Sequence, residues 1–148
     1  MPTLKISDGA AHIIVEVLGY EHPAPRTVED ANWLRCEASA KVHGFSGSIS
    51  ASLRVGEFAE FLADLQNCST GRARSAAFES MEEWLTLRAD FSTSGRMQMK
   101  CMLAGQSGSM PSLTFRMELE QNAVGDLSKS IAEILRSFPE RLTVKTEI

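Results

Sequence analysis

Cysteine is scarce in this chain and follows no pattern. Cys36, Cys68 and Cys101 are odd in number and far apart, with no CxxC pair and no histidine at zinc spacing, which excludes a disulfide framework and a zinc-ribbon site. They read as reduced cytosolic thiols, with Cys36 and Cys101 on the apolar side of strand patterns as small hydrophobes. Long hydrophobic runs are missing too: none approaches the ~20 residues a bilayer span requires. The start, "MPTLKISDGAAHIIVEV", has no basic segment leading into an apolar run and a small-residue cleavage site, so the expected location is cytoplasmic. Positive charge is in deficit: the formal net charge is −4, which argues against direct nucleic-acid binding because phosphate recognition draws on clustered Lys and Arg.

The motifs of common catalysis are absent as well. There is no GxSxG elbow, no GxxxxGK[ST] or GxGxxG phosphate loop and no HExxH pair. The serines of "FSGSISAS" alternate outward with no histidine placed to activate one. No cofactor or metal is expected. What is present, 43% hydrophobic and 23% charged residues over 148 positions, is ordinary for a globular protein and sufficient for one domain, residues 1–148, with its own core.

Period-2 alternation is the strongest positive signal. From Trp33 to Val55, Leu34, Cys36, Ala38, Ala40 and Val42 share one face, and the return limb places Phe45, Gly47, Ile49, Ala51, Leu53 and Val55 on the matching one. His43-Gly44 between the limbs is a two-residue turn. That turn pairs Val42 with Phe45, Ala38 with Ile49, Cys36 with Ala51 and Leu34 with Leu53, and sets Trp33 beside Arg54 on the outer face. A slip of one residue would oppose apolar side chains to serines.

The period then changes. Phe58, Phe61, Leu62 and Leu65 follow i, i+3, i+4, i+7 spacing and define one helical stripe, ended at "NCSTGRARS" by Gly71. Glu57, Glu60 and Asp64 fall on another face, which reads as solvated and as a candidate surface for a basic partner. Alternation resumes in "WLTLRADF", in "RMQMKCML" and, after a "GQSGSMP" loop, in "LTFRMELE"; Met97, Met99 and Met117 there read as core filler. Leu127, Ile131, Ile134, Leu135 and Phe138 mark a second amphipathic helix, stopped by Pro139. The order strands, helix, strands, helix predicts an α+β fold with about 7–8 antiparallel strands and two amphipathic helices. Each strand group ends in a helix, and "NWL" and "EWL" each open a strand, which raises the idea of a doubled unit.

The loop over residues 20–32 concentrates polar side chains: Tyr20, Glu21, His22, Glu29, Asp30 and Asn32, just ahead of Trp33. Two readings stand. His22 and Asp30 could converge on a small ligand, or Asp30 and Asn32 could accept hydrogen bonds from backbone amides of their own loop and launch the strand in register; the second is the expectation.

With "GYEHP", "DANWL", "GFSGSISASL" and "FESMEEWLTL" on view, the chain resembles the WapI-type immunity proteins, small bacterial proteins that neutralise toxins delivered by neighbouring cells. The likeness rests on Asp30, Asn32, Trp33 and Leu34, on the hairpin that follows, and on Glu79, Ser80, Met81, Trp84 and Leu85. It covers most of the chain through short motifs. It implies a non-enzymatic protein whose partner is a protein toxin, with a basic nuclease domain as the case to consider, and it transfers no catalytic residue.

Overall fold

The computed structural model describes residues 1–106 and 109–144. Two four-stranded antiparallel sheets are each followed by a fifteen-residue helix, an α+β architecture. The first sheet runs β1 (Thr3–Ser7), β2 (Ala11–Tyr20), β3 (Trp33–Val42) and β4 (Phe45–Arg54) in spatial order, with a single helical turn, α1 (Val28–Ala31), before β3. Helix α2 (Val55–Ser69) leads to the second sheet, β5 (Ser75–Glu79), β6 (Leu85–Phe91), β7 (Met97–Gln106) and β8 (Ser109–Leu119), and α3 (Ala123–Ser137) closes the order.

The β3–β4 hairpin has the register that alternation dictates: Trp33 pairs with Arg54, Leu34 with Leu53, Ala38 with Ile49 and Val42 with Phe45. His43 and Gly44 both take positive φ, 43° and 88°, as a two-residue turn that follows the right-handed strand twist must. Above Trp33, the Arg54 guanidinium carbon lies 5.9 Å from the ring centroid.

Strands β1, β2 and β5 and the turn α1 are elements that the periodicity did not single out. The first two are short or bulged, with the β2–β3 register shifting between Val17 and Gly19, and β5 spans only five residues. The "GQSGSMP" loop is shorter than its composition suggests, because β7 continues to Gln106 and β8 resumes at Ser109; Ser107 and Gly108 lie outside the described residues. The two halves share their element order, yet "NWL" opens the third strand of the first sheet and "EWL" the second strand of the other. Those letters therefore do not mark equivalent positions.

Buried residues from both sheets, α2 and α3 form one cluster. Phe58 and Phe61 of α2 pack edge-on against Phe78 of β5, with ring centroids 5.0 and 6.0 Å apart, a geometry favoured by the ring quadrupoles. Met97, Met99 and Met117 are core, as their strand spacing implied.

Candidate functional site

The acidic side chains of α2 are where sequence and structure part. Glu57 was expected on a solvated face and is instead 5% exposed. It is the third residue of the helix, so its carboxylate reaches back to accept from the Arg54 amide at 2.8 Å, and its other oxygen accepts from the Met81 amide at 2.7 Å. Burial pushes its carboxyl above the ordinary value, against the pull of those two amides. Two turns later Asp64, half-buried, accepts from the Ala77 amide of β5 at 3.4 Å, and the Cys68 thiol donates to the Ser75 carbonyl at 3.3 Å. These contacts run antiparallel along β5, an outer strand of its sheet whose outward backbone groups need partners. Two of the three expected partner-binding acids are thus spent on the fold, and Glu60 alone of them is exposed. Helical spacing put all three on one face; it could not reveal that a strand edge lies against that face.

The loop over residues 20–32 is also claimed by the fold. Asn32 does act as a scaffold, but toward a distant segment: its Oδ1 accepts from the Arg141 amide at 2.7 Å and its Nδ2 donates to the Arg141 and Val28 carbonyls, each at 2.9 Å. The Asp30 carboxylate has no hydrogen bond among the described residues. It is the Thr27 hydroxyl that caps α1, accepting from the Asp30 amide at 3.1 Å, so the expected role of Asp30 falls to Thr27. Arg141 lays its guanidinium 3.7 Å from the Tyr20 ring centroid and donates to the carbonyls of Ala31 and His22, at 2.8 and 3.0 Å. His22 is exposed and enters only through that carbonyl. The loop's inward acceptors are occupied by the chain's own segment after α3, and His22 and Asp30 line neither the cavity on the outer face of the second sheet, beside Arg88 and Lys100, nor the smaller one beside Asp64 and Asp90. Among the described residues no cluster of three or more His, Cys, Asp or Glu is arranged to hold a metal ion.

The turn over residues 79–83, "ESMEE", whose Glu79, Ser80 and Met81 carry part of the family likeness but were not expected to form a contact surface, presents an exposed surface. Ser80 is buried and anchors it: the Ser80 hydroxyl accepts from the Leu85 amide at 3.1 Å, and the Ser80 amide donates to the Leu85 carbonyl at 3.2 Å. Glu57 grips the Met81 amide from beneath, and the Met81 side chain projects outward, 64% exposed. Glu79, Glu82 and Glu83 are exposed around it, with Glu82 accepting from the Trp84 indole at 3.1 Å. Glu83 holds a φ of 60°, a left-handed conformation uncommon for a residue other than glycine and frequent at functional positions.

Below the turn the outer face of the second sheet forms a cavity of about 500 Å³ whose lining includes Met81, Glu83, Arg88, Lys100, Met102 and Thr114. Arg88 stands directly opposite Lys100, and Lys100 opposite Arg116. Like charges so placed oppose folding; Glu79 offsets one of them through a 2.8 Å ion pair with Arg88. The surface therefore couples a soft apolar side chain, an acidic rim and a basic floor, an arrangement suited to recognising a charged macromolecular surface. The one signal in the sequence was an exposed-type cluster of acids around a methionine in a short link between strands.

The model of the immunity protein WapI-like family matches residues 3–139. No curated protein matches the chain. Among solved structures, WHY1 from Arabidopsis thaliana aligns with a TM-score of 0.50 at 12% identity, covering 92% of this chain and 89% of that one. The Trypanosoma bruciei MRP1/MRP2 structures align with a TM-score of 0.49 at 13% identity, covering 92% and 84%. At such identity the likeness to WHY1 is one of fold alone.

Proposed function

From a chain that belongs to the immunity protein WapI-like family, we propose a protein that binds a cognate bacterial toxin stoichiometrically, without turnover, and blocks it in the cytoplasm of the producing cell. The observation that carries this reading is the family match over nearly the whole chain. One buried cluster drawing on both sheets and both long helices supports treating residues 1–148 as a single domain. Among the described residues no helix is long and apolar enough to cross a membrane.

The contact surface we assign is the turn over residues 79–83 together with Glu60. An exposed methionine, its sulfur accepting from the Arg54 guanidinium at 3.5 Å and its chain neighbours including the exposed Glu79, Glu82 and Glu83, combines an adaptable apolar anchor with a charged rim. The rim suits a basic partner, and a nuclease toxin is basic where it receives phosphates. The alternative, a small-ligand site in the loop over residues 20–32, is disfavoured by Arg141, which already fills that loop's acceptors.

The test is binding to a purified toxin domain, sought first in the gene adjacent to this protein's, followed by stopped flow at low and moderate salt. Wild type is expected to bind one to one and suppress the toxin. The Glu60→Lys, Glu83→Lys double variant is expected to associate more slowly with a flatter salt dependence, and Met81→Ala to dissociate faster. Absence of binding by wild type overturns the reading; equal kinetics for all three proteins move the interface elsewhere.

A further inference from the structure

Four strands, β1, β4, β5 and β8, stand at sheet edges, and an open edge invites pairing with another chain. Three are blunted. β1 is five residues long and carries Lys5; β5 is equally short and has α2 laid along it, with Asp64, Glu57 and Cys68 on its backbone groups and those of the turn after it. β8 contains Pro111 and charged residues, and Asp8 from the β1–β2 turn accepts from its Glu118 amide at 3.4 Å.

β4 has no such protection. Its ten residues contain no proline and no charge before Arg54. A two-residue turn makes Val42 and Phe45 exchange hydrogen bonds, and alternation along the ladder then aims the backbone groups of Ser46, Ser48, Ser50 and Ser52 away from β3. Among the described residues none of those four has another backbone partner, whereas the next outward amide in the series, Arg54, is taken by Glu57. The serine side chains do not cover the edge: Ser50 donates to Glu37 and Ser52 to Glu21, both across the outer face. Phe45 is 70% exposed at the hairpin end of this strand.

We propose that the free edge of β4 is a pairing surface for a second copy of this chain, joined antiparallel about a two-fold axis at Ile49. In that register Ser48 faces the partner's Ser50 and Ser46 the partner's Ser52, Ile49 meets its own counterpart, and every outward amide and carbonyl of the four serines is satisfied. Uncharged serine opposes serine throughout, so the pairing brings no like charges together. The union is isologous and closed, because the opposite edge of the enlarged sheet is the short, lysine-bearing β1. The inference is independent of toxin binding.

Sedimentation analysis over a micromolar to submillimolar range tests it. Wild type is expected to dimerise. Ser48→Pro and Ser50→Pro each replace an outward N–H and leave the β3–β4 ladder intact, the position where an edge strand tolerates proline; both are expected to stay folded by circular dichroism and to lose the dimer. Hydrogen exchange on wild type gives a readout that needs no variant: the Ser46, Ser48, Ser50 and Ser52 amides are expected to slow with rising protein concentration. A wild type monomeric throughout the range overturns the proposal. So does a dimer that survives both proline substitutions, or edge protection that appears only when toxin domain is added.

Discussion

Asn32 and Glu57 are single side chains that each close several backbone groups at once. Removing such a residue exposes partners that have no other bond, so the cost exceeds that of one net hydrogen bond. Asn32→Ala is expected to destabilise by about 1–3 kcal/mol in thermal or urea melts, and Arg141→Ala to add little on top of it, because both act on one clamp. Glu57→Gln puts an amide N–H against the Arg54 or Met81 amide and is expected to cost a similar ~1–3 kcal/mol. The pH dependence has a definite sign. The folded protein binds the Glu57 proton more tightly than the unfolded chain, so the stability this group contributes is full below its ordinary value of 4.5 and declines as the pH rises through the folded value. Asp8 does the reverse: slight burial opposes its ionisation, but amides of Ala11, Ala10 and Glu118 outweigh that and lower its carboxyl below 3.8. Comparing wild type with Asp8→Asn should therefore show an advantage at neutral pH that disappears as the pH falls through the folded value. Burial pushes the Cys36 and Cys101 thiols up to about 12, so both are expected to resist alkylation at neutral pH until the protein unfolds.

Helix α2 and the β3–β4 hairpin differ in how they hold. The helix is anchored on two sides: its apolar stripe through Phe58 and Phe61 in the core, its acidic side through Glu57 and Asp64 toward β5. Phe58→Ala or Phe61→Ala is expected to cost about 3–5 kcal/mol by the cavity left behind. Charge reversal at Glu57 and Asp64, harmless on a solvated face, is expected to lower the melting temperature, whereas Glu60→Lys leaves it nearly unchanged. The hairpin depends on its turn. Gly44→Ala forces a Cβ into a φ of 88°, costing about 1–2 kcal/mol, while His43→Asn supplies a side chain that accepts a positive φ and is expected to stabilise.

At the scale of the molecule, two meanders and two helices share one core, and the contact surface proposed above lies outside it. The turn over residues 79–83 sits where α2 and the second sheet meet, so its geometry is set by Glu57 and Ser80 and its exposed side chains can vary without unfolding the protein. On the proposed contact, substitutions at Met81 and Glu83 should alter toxin affinity and leave the melting temperature within a degree or so of wild type, surface changes being usually within about 0.5 kcal/mol. A parallel loss of stability and binding would place those side chains in the scaffold.

The amino-acid order by itself determined the α+β class, the register of the central hairpin and the inward faces of β3, β6, β7 and β8 and of both long helices; on β4 it placed Ala51 and Leu53 correctly, whereas Phe45, expected on the same face, is exposed because the hairpin end runs past the core. These follow from local periodicity: a strand repeats every second residue and a helix every 3.6, and a tight turn fixes the pairing of the residues beside it. The likeness to an immunity family was legible for a related reason, since the short motifs that carry it are structural. Asn32 holds the segment after α3, and Ser80 anchors the exposed turn. What only the tertiary structure decided is which polar faces meet solvent. Glu57, Glu60 and Asp64 are alike in sequence, but β5 lies against Asp64 and the turn after it against Glu57, and Arg141 reaches Asn32 across 109 positions of the chain. No local pattern encodes such pairings, because a carboxylate beside water and one beside a strand's free amides occupy the same helical spacing and differ only in what the rest of the chain brings to them.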